Sequence, residues 1–264
     1  MFFEDLTVKD KSVPQAILGY GPFMAEPYFG HRSRLYQVDL YTRPQNIADV
    51  ILESYEHGVR AINLVNNPNL LEAYDIAREN GCEMKVIATV GKSDVDYLNP
   101  NYEVAKEVDW DEDIELFSKY DCPLMLVDEF IVDGYDWKLT SKILTEINNT
   151  GSLSGIVTAF PSKTTDLLPD NLDMNLFDFY MIPFNSLSYM MDISAFNASQ
   201  REDFRKKLVN LNKKVIATRT LAAGVLQPKE SFTFFKSIDY IDAIALGVAS
   251  CDEAKEDFSL LKEF

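Results

Sequence analysis

Two adjacent carboxylates, Asp128 and Glu129, follow the apolar run PLMLV at 123–127. Successive side chains on a strand alternate between faces, so one of the two points toward the centre of the fold, where a carboxylate can act as a general base or ligate a metal. Lys92 and Arg219 also follow or end apolar runs. Either could pair with these acids and satisfy the charges without turnover. The guanidinium of Arg219 is a planar fork suited to phosphate or carboxylate. Asn63 and Asn66, in and just after the run VRAINLV, can orient a polar substrate, although Asn is equally common at strand-end turns. Asn63, Lys92, Asp128 and Glu129 are therefore the catalytic candidates.

His31, Arg32 and Arg34 form a compact cationic cluster in an otherwise acidic chain. With Asn66 they are the candidates for holding a small anionic substrate. Ser250, just before the last helical pattern, can contact a phosphate or cap that helix. His57 closes the first helical pattern, where histidine commonly meets terminal carbonyls, and is left out of the site. With only two histidines, both distant in sequence from the strand-end acids, no metal is expected. Cys82, Cys122 and Cys251 lack paired spacing and are expected to be reduced structural thiols.

Eight β-rich runs are available to position these groups: 15–20, 59–65, 84–90, 123–128, 153–158, 177–183, 214–219 and 241–246. Helical patterns alternate with them. In PQNIADVILESYEHG, Ile47, Val50, Ile51 and Tyr55 share one face and Gly58 supplies a stop. NPNLLEAYDIARENG repeats that logic, and DEAKEDFSLLKEF turns Ala254, Phe258 and Leu261 inward. Repeated βα units predict an α/β fold with a parallel sheet, and eight of them predict a (β/α)8 TIM barrel forming one domain over residues 1–264. The segment MFFEDLTVKDKSVP partly alternates and is expected to form a hairpin closing the barrel bottom. Long connections after the first and third strands, 21–43 and 91–109, are expected to cover the site, because barrel chemistry sits at strand C-termini.

The composition, 47% hydrophobic and 25% charged, is that of a globular chain. A formal charge of −17 repels phosphate backbones and anionic lipid, which excludes general nucleic-acid and membrane binding. No apolar run approaches the ~20 residues of a membrane span. The charged N-terminal stretch does not read as a signal peptide, so a cytoplasmic protein is expected. A small-molecule ligand is the expected partner; the sequence does not specify an oligomeric state.

The order of segments resembles the aldo-keto reductase superfamily. Leu18, Gly19, Tyr20 and Gly21 are similar to the ending of that family's first strand, and ADVILESYEHGVRAINL to its first helix, turn and second strand. GSLSGIVTAF resembles the fifth strand, FDFYMIPFNSL the sixth with its Asn at Asn185, and KVIATRTLAAGVLQ the seventh with its turn at Leu221–Gly224. IDAIALGVASCDEAKED resembles the eighth strand, the Gly-containing turn and the last helix. These matches span most of the chain.

The resemblance implies an NAD(P)H-dependent oxidoreductase with NADP or NAD as cofactor. Thr158, Asn185, Arg219, Leu221, Gly224, Gly247, Val248 and Ser250 fall at or near cofactor-binding positions. It also implies a divergent site. The family's catalytic Asp, Tyr, Lys and His fall on Asn63, Pro68, Val90 and, at or near the last, Asp128. Lys92 lies two residues beyond the Lys position, a displacement of ~6–7 Å. Ordinary carbonyl reduction is therefore not expected. Two alternatives stay open: a noncatalytic barrel binding a nucleotide or phosphate ligand, and a non-redox lyase or isomerase.

Overall fold

A parallel barrel strand is covered on both faces, so it must be largely apolar. In the computed structural model, which describes residues 2–93, 95, 100–194 and 196–264, eight short strands are apolar for most of their length, with Asn63, Thr89 and Ser154 buried among them and Lys85 and Lys214 half-buried at two openings. They are β3 (Ala16–Leu18), β4 (Ala61–Leu64), β5 (Lys85–Val90), β6 (Leu124–Val127), β7 (Leu153–Val157), β8 (Phe179–Pro183), β9 (Lys214–Thr218) and β10 (Ala243–Leu246). All pair in parallel and β10 closes on β3, forming the (β/α)8 barrel expected from the sequence. The observed strands lie within the expected ranges. Asp128, placed at the end of a strand by its apolar run, instead begins a helix.

Ahead of the barrel, β1 (Asp5–Val8) and β2 (Lys11–Pro14) form the antiparallel hairpin. Val13 is fully buried, and Leu6 and Val8 pack on the inner cluster of Ile17, Ala61, Ile87, Leu124, Leu153 and Phe179. Ala61, Leu124, Leu153 and Phe179 are the first residues of their strands, so the hairpin covers the N-terminal end of the barrel. Lys85 Nζ donates to the carbonyl of Ser12 at 3.0 Å and fastens it there.

The helices are α1 (His31–Tyr36), α2 (Pro44–Glu56), α3 (Pro68–Glu79), α4 (Tyr102–Lys106), α5 (Trp110–Phe117), α6 (Glu129–Val132), α7 (Trp137–Asn149), α8 (Pro161–Asn171), α9 (Ala198–Leu211), α10 (Pro228–Lys236) and α11 (Cys251–Glu263). The stripes anticipated on α2, α3 and α11 are buried: Ile47, Val50 and Ile51; Leu70, Ala73 and Ala77; Ala254, Phe258 and Leu261. No helix among the described residues is long and apolar enough to cross a membrane.

Segment 21–43 is more regular than a loop, with α1 continued by a π-helical turn at Gln37–Tyr41. In the other long connection, 91–109, residues 94 and 96–99 lie outside the described residues, as does Met1.

Close packing fixes one strand glycine. A Cβ at Gly155 would stand 2.5 Å from Leu126 Cδ2 and 2.6 Å from the Phe179 carbonyl oxygen. The latter is backbone on the neighbouring strand and cannot yield without disturbing the β7–β8 pairing. Gly155→Ala should therefore lower unfolding free energy by ~1–3 kcal/mol, measured as a reduced urea midpoint with unchanged slope.

Candidate functional site

Alternation along the strands sets the floor and rim of the barrel mouth. Ala61 and Ile87 belong to the inner cluster, so Asn63 and Thr89, two residues on, face the same way. By the same step Leu124 and Leu126 lead to Asp128. These polar residues stand above an apolar layer that includes Val157, Met181 and Ala245, and they line a cavity of about 300 Å³. The cavity runs from the mouth, past the connection after β9, to the first turns of α11.

Asp128 is the N-cap of α6, accepting from Phe130 N at 3.0 Å, and is 1% exposed. Burial pushes its carboxyl up from 3.8 to about 7; the Lys92 ammonium opposes the rise and the charges of Glu129 and Glu26 add to it. At neutral pH this group holds and releases a proton with comparable ease. Asn63 Nδ2 donates to the Ile87 carbonyl at 2.8 Å and to Thr89 Oγ1 at 3.0 Å, which fixes its amide across β4 and β5.

Two buried ion pairs flank Asp128. Arg219 Nη2 lies 2.8 Å from each Glu129 oxygen, with side-chain exposures of 5% and 7%. Arg219 adopts φ +54°, a left-handed conformation that a bulky residue holds only where its surroundings dictate it. Lys92 Nζ lies 2.9 Å from Glu26 Oε1, which comes from the connection after β3. Burial alone would lower the ammonium's pKa, but Glu26, Asp128 and Glu129 outweigh it, so Lys92 is held firmly protonated.

Tyr20 and Tyr28 complete the mouth. Lys92 Nζ is 6.0 Å from the Tyr20 ring centre, and the Arg219 guanidinium carbon is 4.9 Å from that of Tyr28. Burial and the neighbouring carboxylates raise both phenols far above their ordinary value. Both phenols stay protonated at neutral pH, and of the groups at the mouth Asp128 is the one raised to about 7.

Two phenols and the Lys92 ammonium thus stand at the mouth, although the positions that resemble the family's Tyr and Lys carry neither. Alignment to the family's order places Pro68 and Val90 at those positions. Pro68 is exposed at the start of α3, and Val90 is buried with its carbonyl accepting from Asp128 N at 2.9 Å. The phenols come from the end of β3 and from the segment after it.

Of the remaining candidates, Arg32, Leu221, Gly224 and Gly247 line the cavity. Gly224, at φ +82°, lies directly beneath Arg32: an added Cβ would stand 1.8 Å from Nη1. At Gly247 a Cβ would stand 2.8 Å from Pro22 Cδ, so this glycine admits the protein's own loop.

Others are engaged elsewhere. The Thr158 hydroxyl donates to Asp133, which also accepts from Ala159 N at 2.8 Å. Asn185 spends its amide on backbone groups, donating to the carbonyls of Tyr189 and Arg219 and accepting from Leu187 N and Tyr189 N. Ser250 caps α11 through Glu253 N at 3.1 Å, and Val248 is buried. His31 and Arg34 are exposed outside the cavity lining. Asn66, also exposed, donates to Asp113 Oδ1 at 2.8 Å.

Sequence reasoning missed Glu26, Tyr28 and the cavity-lining acids Glu253, Glu256 and Asp257. The last three share one helical face by spacing, a legible signal. Glu26 and Tyr28 lie where no periodicity exists to orient them.

No family model and no curated protein sequence matches this chain. Solved structures do. A Pseudomonas aeruginosa protein described as a candidate aldo-keto reductase is 14% identical with a TM-score of 0.64, over 98% of this chain and 95% of that one. An aldo-keto reductase from a Medee basin deep-sea metagenome library is 11% identical with a TM-score of 0.61, over 99% and 90%. A mutant of Gox0644, in complex with NADPH, is 14% identical with a TM-score of 0.60, over 98% and 88%. Across nearly its whole length, the chain has the fold of the aldo-keto reductases.

Proposed function

We propose that the protein is a divergent aldo-keto-reductase-like enzyme in which Asp128 exchanges a proton with an oxygen of a small polar ligand held at the barrel mouth. The observation that carries this reading is a buried carboxyl brought to about 7 inside the cavity, beside the Lys92 ammonium. A general acid or base works best when its pKa lies near the operating pH. Tyr20 and Tyr28, held protonated, donate hydrogen bonds that orient the ligand oxygen, and the Asn63 amide sets the opposite wall.

Carbonyl-to-alcohol interconversion requires that proton, and so does a lyase or isomerase reaction. The oxidoreductase form of the reading is favoured by the fold and by the cavity's reach toward α11. It needs NADP or NAD, which would supply hydride. The mouth suits such chemistry, but the far end offers little to a nucleotide phosphate. Arg219 is bound to Glu129, the Ala249 amide to Glu253 Oε2 at 2.7 Å, and three carboxylates line that end, with Arg32 the nearby cation. This donor set fits NAD(H) better than NADP(H), whose additional phosphate would meet like charge. It also favours a neutral or cationic substrate over the anionic one expected from the His31–Arg34 cluster.

The test combines titration with NADH and NADPH with incubation in D2O against a panel of small aldehydes, ketones and hydroxyaldehydes. Carbonyl reduction, or deuterium incorporation next to the carbonyl, supports the reading. Neither, across the panel and with either nucleotide, removes it.

A further inference from the structure

We propose that the α11 end of the cavity is a cation-accepting subsite that takes the primary ammonium group of a small aliphatic amine. This deepens the reading above and rests on that cavity being the ligand site. Glu253, Glu256 and Asp257 are spaced to face one way from α11, and all three line the cavity. Asp257 is only 8% exposed, and among the described residues it makes no hydrogen bond or ion pair. Glu253 and Glu256 are exposed, and the Asp257 oxygens, which are not sealed from the cavity, have no protein donor among the described residues, so a ligand that brings donors and positive charge would meet three carboxylates there.

An ammonium brings three N–H donors and a full charge, enough for Asp257 and for whatever capacity Glu253 and Glu256 have left. Glu253 uses one oxygen on Ala249 N, which anchors it in place. No set of three described His, Cys, Asp or Glu residues is arranged to hold a metal ion. Arg32 approaches from the segment after β3, near enough to hydrogen-bond Tyr36, but forms no ion pair with the three acids among the described residues. Asp128, at the other end of the same cavity, supplies the proton-exchanging group. The ligand class is thus an amine that carries its reacting oxygen away from the ammonium.

Asp257 also offers an independent readout. Burial, then Glu253 and Glu256, raise its carboxyl to about 7. The charged groups that act on it are those two acids on α11; Arg32 and Tyr36, from the segment after β3, stand by Glu253, and on α2 Glu53 and Asp49 stand by Cys251 and His57 by Ser259. Ammonium binding favours the ionised carboxylate, so it releases a proton at pH 7 and is tighter at pH 8 than at pH 6.

The probes are 1,4-diaminobutane, 1,4-butanediol and succinate, which share a four-carbon span and differ in charge. Calorimetric titration of the intact protein should show millimolar or tighter binding of the diamine, at least ~10-fold weaker binding of the diol and none of succinate. Asp257→Asn should weaken the diamine roughly ten-fold or more while melting no lower than the wild type, which shows that it folds. Failure of the diamine to bind at millimolar concentration, equal binding by succinate, or unchanged affinity in Asp257→Asn overturns the subsite. Diamine binding as expected with no proton exchange at Asp128 would instead sink the catalytic reading and leave the subsite standing.

Discussion

Asp128→Asn should cost turnover a factor of ~10²–10⁴ while making the protein more stable above neutral pH. The amide keeps the acceptor that caps Phe130 N but neither gives nor takes a proton. The stability change follows from linkage. In the folded state the carboxyl sits at about 7, against 3.8 for the free group, so its favourable contribution is complete below about 3.8 and is lost as pH rises through 7. Asn carries no such penalty, and at pH 8 the variant should gain ~1–3 kcal/mol in urea unfolding, a gain that fades at pH 5. Wild-type rate profiles should show a limb near pH 7 that is missing from any residual activity of the variant. A variant that retains half its activity would exclude Asp128 from the chemistry.

The second large effect concerns the Arg219–Glu129 pair. Arg219→Leu leaves a carboxylate that is 6% exposed without its guanidinium, and a loss of ~3–5 kcal/mol at pH 7 is expected. Adding Glu129→Leu should recover most of that loss, because the cost lies in the stranded charge. Without Arg219, Glu129 should titrate at higher pH, so the single variant's deficit should shrink as pH falls toward 5. Denaturant melts of both variants at pH 5 and pH 7 decide this. A double variant no more stable than the single one would show that Arg219 acts mainly through packing on Tyr28.

The barrel was legible because its strands are buried on both sides and each reads as a short apolar run between helical patterns. The same logic brought the pair Asp128 and Glu129 to the mouth without choosing between them, and only the structure shows that Asp128 continues the inward step from Leu124 and Leu126 while capping a helix. That logic stops where regular structure stops. Glu26 and Tyr28 lie in a connection whose path is set by contacts such as Pro22 against Gly247, and no spacing rule predicts those. His31, Arg32 and Arg34 read as one cluster, yet a helix separates neighbouring positions, and only Arg32 turns to the cavity. Asn185 matched a family position while its whole amide serves the local backbone. The shared face of Glu253, Glu256 and Asp257 was legible from their spacing, but beside the apolar stripe of Ala254, Phe258 and Leu261 it reads equally well as a solvated flank, and nothing in the sequence says that it borders the cavity.

The N-terminal hairpin has a kinetic corollary. With Val13, Leu6 and Val8 packed on the inner apolar cluster, a molecule admitted at the mouth meets, among the described residues, no second door through the ring of strands. Spent and fresh molecules would share one vestibule and one set of groups at the mouth, so a product that binds those groups in the free protein should inhibit competitively with its substrate. Trimming the hairpin would loosen the stopper without opening a useful exit.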